Sequence, residues 1–204
     1  MKFSAIFESW HVEDGNYPPL SKGQLVNLSF QCEPRRLERA AEGSFPWIDH
    51  RDNAECQFCA RVLQVHSGSD AIAVLDTGTL RFYVNGSEIT SFPPGSLVRG
   101  EGTMLLDHYL WVEFVDKRPD PPDLFYNLRV SRIRRVQIPG RFVARYDRGK
   151  HYPTRVSPSE FEPEHVVELE TMVGQPFDEE FYILEFDDTG LDGERVARTF
   201  RTFQ

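Results

Sequence analysis

At 204 residues the chain has room for one sizeable core or two small ones, and 40% hydrophobic with 27% charged residues is an ordinary globular balance. A net charge of -9 disfavours indiscriminate attachment of the whole molecule to nucleic acid or to anionic membranes. Three cysteines argue against a disulfide framework and fit a reducing cytoplasm, and no run resembles a signal peptide or approaches the ~20 apolar residues of a membrane span.

In chain order, Phe3, Ala5 and Phe7 alternate on one face of a first predicted strand, which the Asp14-Gly15-Asn16 and Pro18-Pro19 turns break. A second strand is expected over Gln24 to Glu33, with Leu28, Phe30 and Cys32 spaced by two. Pro34 to Gly43 reads as a short helix, proline opening it and glycine ending it. Phe45 to Glu55 reads as a polar loop carrying Trp47 and His50. From Cys56 to Asp116 four or five apolar runs are cut by Ser67-Gly68-Ser69-Asp70, Asp76-Thr77-Gly78, Asn85-Gly86 and Pro93-Pro94-Gly95, the pattern of consecutive antiparallel strands. Gly95, Gly100 and Gly102 flank or interrupt the last of these, which points to a bulge or the sharp bend of a small closed barrel.

Lys117 to Asp123 is a turn-rich connector and a candidate internal boundary of what otherwise reads as one β-rich domain. Leu124 to Val136, Arg141 to Asp147, Glu180 to Asp187 and Arg195 to Phe203 read as further strands. Glu160 to Val173 satisfies both helical and alternating spacing, and the helical reading is the one adopted. The whole is expected to be all-β: a small antiparallel barrel, with the oligonucleotide/oligosaccharide-binding barrel as one form, plus extra strands and one or two short helices.

Several motifs carry chemical hints. Ala73 to Thr79, AVLDTGT, resembles the active-site strand of aspartic proteases, and a second Asp188-Thr189-Gly190 would supply the partner aspartate that such enzymes need. The segment after Gly190 is too short for the supporting apolar-apolar-Gly element of that family, and Asp-Thr-Gly is good turn chemistry, so a hairpin turn is expected. Cys56 and Cys59, with His50 and His66 nearby, have the spacing of a zinc knuckle. No second pair follows, and a continuous strand would send the two thiols to opposite faces, so neither a metal nor another cofactor is expected. Asp188 to Glu194 faintly suggests a calcium loop but lacks oxygen ligands where they are required.

Charge distribution is the most informative feature. Between Arg129 and Arg155 nine basic residues face one acidic residue, Asp147, while Val156 to Glu194 holds 13 acidic residues and no Lys or Arg. Arg129, Arg132, Arg134, Arg141 and Arg145, interleaved with Tyr126 and Tyr146, are the candidate binding residues: arginines beside exposed rings could grip single-stranded nucleic acid. The preferred expectation is that the acidic segment lies across the basic strands and neutralises them. The protein then acts as a non-catalytic module engaging a protein partner through an acidic surface, as the small acidic immunity proteins do with basic nucleases. A hydrolase or metal-dependent enzyme assembled only by the fold ranks third, and no membrane partner is expected.

Overall fold

Alternation of apolar and polar side chains runs through the chain and folds it as sheet. The computed structural model describes residues 2–8, 10–13, 15, 17–66, 71–107, 122–137, 145–147, 150–152, 166–172 and 180–188. In β1 (Lys2–Glu8) the alternating residues Phe3, Ala5 and Phe7 are buried, as expected. A one-turn helix, α1 (Trp10–Glu13), leads towards β2 (Leu25–Leu28) and β3 (Phe30–Arg39). After β4 (Trp47–His50) and a 3-10 turn (Asp52–Ala54) come β5 (Glu55–His66), β6 (Ile72–Asp76) and β7 (Arg81–Asn85). A second 3-10 turn (Ser87–Ser91) precedes β8 (Leu97–Leu106). The remaining strands are β9 (Tyr126–Gln137), the small β10 (Arg145–Asp147) and β11 (Lys150–Tyr152) ribbon, β12 (Val166–Leu169) and β13 (Glu180–Asp188).

Five of these strands close on themselves. β5 pairs antiparallel with β6, β6 with β7, β8 with β5 and β3 with β8, while β3 runs parallel to β7 through Gln31–Tyr83 and Cys32–Val84. The ring β5–β6–β7–β3–β8 is the closed barrel that the sequence predicts. The other strands extend the sheet: β1 joins β8 at Ile6–Leu105, β13 joins β1, and β9 joins β13 and carries β2 and β12 on its far edge.

Glycine makes the closure feasible. A Cβ at Gly102 would strike the Glu33 carbonyl and the Pro34 backbone, and one at Gly100 would sit 2.5 Å from Phe58 Cζ. At Gly102, β3 therefore lies closer to β8 than a side chain there would permit, and it bulges between Pro34 and Arg36. Inside, Phe58 and Phe82 meet edge to face with centroids 5.2 Å apart, and Phe3, Phe30 and Phe186 form a second aromatic group. Each buried Phe contributes about 2–3 kcal/mol of transfer free energy.

Three expectations are corrected. Pro34 to Gly43 is not helical: β3 continues through Pro34 as far as Arg39, since pairing with β8 outweighs the helical propensity of RRLERAA. Phe45 to Glu55 contains β4, paired to β5 from Trp47–Cys59 to His50–Cys56. Within Glu160 to Val173, residues Val166–Leu169 form strand β12 against β9, so the alternating pattern prevails there over the helical one. The strand expected over Arg195 to Phe203, and most of the Lys117 to Asp123 connector, lie outside the described residues.

Candidate functional site

β9 brings the predicted arginines to the sheet, and the pairing of β9 with β12 and β13 decides what they meet. Register sets Arg132 opposite Glu185 and Arg134 opposite Glu168. The Arg132 guanidinium donates to Glu168 Oε2 from Nε at 3.0 Å and lies 3.4 Å from Glu185 Oε1. Arg134 reaches Glu185 Oε1 at 3.1 Å and donates to Asn53 Oδ1 at 2.8 Å. Arg129 donates to the Gly23 carbonyl at 2.9 Å. Tyr126 is half-buried against Phe30, and its hydroxyl accepts the Arg81 N–H at 2.7 Å; burial raises its pKa above the ordinary value. Arg145 and Tyr146 belong to the backbone of β10, and Arg141 lies outside the described residues.

The Asp-Thr-Gly segment is a hairpin turn between β6 and β7. Asp76 Oδ1 accepts the Gly78 N–H at 2.7 Å, Asp76 Oδ2 accepts from Arg81 Nε at 3.0 Å, and Thr77 Oγ1 caps Leu80. Gly78 holds φ 84, the left-handed region the turn requires. Asp76 thus spends both oxygens on its own turn. Of the second triplet, Thr189 and Gly190 lie outside the described residues.

The cysteines diverge as strand alternation demands. Cys56 faces the core, where its thiol hydrogen-bonds that of Cys32; this bond, then burial, raises the Cys32 pKa well above its ordinary value. Cys59 lies on the opposite face near Arg99, with its pKa raised by burial. His66 stands ten positions from Cys56 at the other end of β5, about 30 Å along a strand. His50 is the cross-strand partner of Cys56, but its ring packs on Phe3 at 5.3 Å. Burial lowers the pKa of His50 to about 4. Among the described residues no three His, Cys, Asp or Glu side chains converge as a metal site.

Two further places escape the sequence reading. At one end of the barrel, buried Asp107 accepts from Ser29 Oγ at 2.8 Å and from the Tyr83 hydroxyl at 2.5 Å, while its carbonyl accepts from the Tyr17 hydroxyl at 2.9 Å. Beside this knot the outer face of β6 and β7, formed by Ile72, Val74 and Tyr83, is buried beneath Leu124. The four residues come from distant points of the chain, so no local spacing signals the knot.

The second place is β4. It pairs with β5 alone, so its other edge carries backbone groups with no strand beside them among the described residues. Exposure alternates from Ser44 to His50: Phe45 is 79% exposed and Trp47 39%, and Asp49 points the same way, whereas Ile48 turns towards the core. The alternation of SFPWIDH was the available signal, masked by its polar setting. No family model, curated protein or solved structure matches the chain.

Proposed function

We propose that the protein is a non-catalytic interaction module whose acidic exterior engages a basic protein partner. The observation that carries this reading is the mutual engagement of Arg132 and Arg134 with Glu168 and Glu185. These cations, the best candidates for gripping phosphate, are directed to the chain's own carboxylates, while the chain as a whole keeps a charge of -9. Such a field attracts cationic proteins and repels polyanions. Asp76, bound within its own turn, and the diverging Cys56 and Cys59 give no support to a protease or a zinc centre.

A single-stranded nucleic-acid binder is the second reading, favoured by the barrel. We read the ring as an oligonucleotide/oligosaccharide-binding pairing scheme in which the closing strand, β3, comes first in the chain instead of last. Such barrels bind on the face of their second and third strands, here β6 and β7. That face is occupied by Leu124, which ranks this reading below the first.

The test is affinity capture from a cell extract at low salt, in parallel with titration against labelled single-stranded oligonucleotides. A basic protein retained specifically at low salt and released by about 0.5 M salt is the expected result. Loss of every specific protein, or oligonucleotide affinity that falls steeply with salt, overturns the proposal.

A further inference from the structure

We infer that the edge of β4 that carries no strand among the described residues is the docking site for an extended, cationic segment of a protein partner, added to the sheet as a further strand. This inference rests on the acidic-module reading and gives it a place on the molecule. An edge strand offers alternate N–H and C=O groups as a template, and extended peptides use such templates with side-chain pockets as the source of specificity.

The side chains around β4 define the guest. Phe45 and Trp47 project beside the edge, with Asp49 next along the same face. From Ala40 to Asp52 the carboxylates are Glu42, Asp49 and Asp52, and the one Lys or Arg, Arg51, lies 4.0 Å from Asp49 in an exposed pair that leaves Asp49 open to a second cation. All three carboxylates are exposed. A strand laid antiparallel on β4 would place its outward side chains beside Phe45, Trp47 and Asp49. Lysine or arginine there gains cation–π contact with Trp47 and charge pairing with Asp49. The inward side chains of the same strand would meet Ile48 and the flank of His50, where aliphatic groups fit. The guest is therefore a segment of alternating cationic and aliphatic residues. A second copy of this chain is a poor guest, because antiparallel pairing of two β4 edges would bring the acidic clusters together between two molecules of charge -9.

The probe is a fluorescently labelled Lys-Val-Lys-Val-Lys-Val-Lys peptide, with the Glu-Val counterpart as control, titrated against the full chain by anisotropy. The expected result is saturable binding of the Lys-Val peptide only, with new hydrogen-exchange protection at Trp47 to Asp49. N-methylation of alternate residues along one edge of the peptide should weaken binding at least tenfold, while methylation along the other edge leaves it unchanged. Phe45→Ser with Trp47→Ser, both at exposed positions, should keep the melting temperature and also weaken binding at least tenfold. No saturable binding, equal sensitivity to both methylation patterns, or full affinity in the double variant overturns the site. A wild-type dimer in sedimentation that the double variant abolishes also overturns it, by naming a second copy as the occupant. Salt-sensitive capture of a basic protein equally by wild type and double variant rejects the β4 site and leaves the acidic module standing. Peptide addition at β4 without any captured protein does the reverse.

Discussion

Arg134 on β9 holds the side chain of Asn53 at 2.8 Å, and Asn53 stands at φ 62, ψ 35 in the turn that joins β4 to β5. Ala54 follows at φ 65, buried, with its N–H bound to Ser4 Oγ at 2.9 Å. Two successive left-handed residues that are not glycine cost energy, about 1–2 kcal/mol for an alanine. Arg134 and Ser4 supply the interactions that hold them there. Arg134→Met is expected to lower stability by about 2–3 kcal/mol, because the guanidinium is largely buried and Glu185 would lose its closer partner. Arg132→Met, at a more exposed position, is expected to cost under about 1 kcal/mol. Urea denaturation of the two variants checks the ordering.

Glycine at the barrel bend admits a sharper contrast. Gly102→Ala would force backbone apart at Glu33–Pro34, and a loss above about 3 kcal/mol or failure to fold is expected. Ala54→Gly is the opposite case, since relief of a left-handed alanine outweighs the extra chain entropy; a gain of about 0.5–1 kcal/mol is expected. Thermal melts of both variants measure the signs.

His50 ties stability to pH. Its folded pKa is lowered from 6.5 to about 4 by burial, with nearby Asp49 pulling weakly the other way. Between those values the unfolded chain binds the proton first. This contribution is therefore complete above about pH 6.5, is lost as pH falls towards 4, and changes little below that. The loss is on the order of 3 kcal/mol at most. His50→Phe should flatten the stability profile between pH 6.5 and 4 relative to wild type, measured by denaturant titration at a series of pH values.

The Asp107 knot yields a fourth test. Asp107→Ala leaves the hydroxyls of Ser29 and Tyr83 buried beside an empty space, and a loss of about 3–5 kcal/mol is expected. Burial first, and the Asp107 charge second, raise the Tyr17 pKa well above its ordinary value. Because the folded pKa is the higher one, this contribution is present below about pH 10 and is lost as pH rises beyond it. Tyr17→Phe should make the alkaline limb of the unfolding curve shallower, as followed by circular dichroism.

Much of the architecture was legible because alternation and turn chemistry are local. Asp76-Thr77-Gly78 and Asn85-Gly86 sit where strands end, and Gly100 and Gly102 mark the bend. Pro34 to Gly43 misled because helical propensity is also local, whereas its pairing to β8 comes from residues some sixty positions away. The engagement of Arg132 and Arg134 by Glu168 and Glu185 was foreshadowed by the charge blocks, but only strand register could select those partners. At Trp47 the alternation of SFPWIDH could have revealed a strand, but not that it would be an edge, since sequence does not state which strand has no neighbour among the described residues.

The pairing of β1 with β13 runs from Lys2–Asp187 to Glu8–Phe181, so the first described strand finds its main neighbour in the last described one. On a ribosome adding 5–20 residues per second, β1 would wait ~10–40 s for β13 to appear. Throughout that interval Phe3 and Phe7, buried in the finished fold, have no β13 to cover them. Expression yield should therefore respond to translation speed and chaperone supply more strongly than the stability of the finished molecule would suggest.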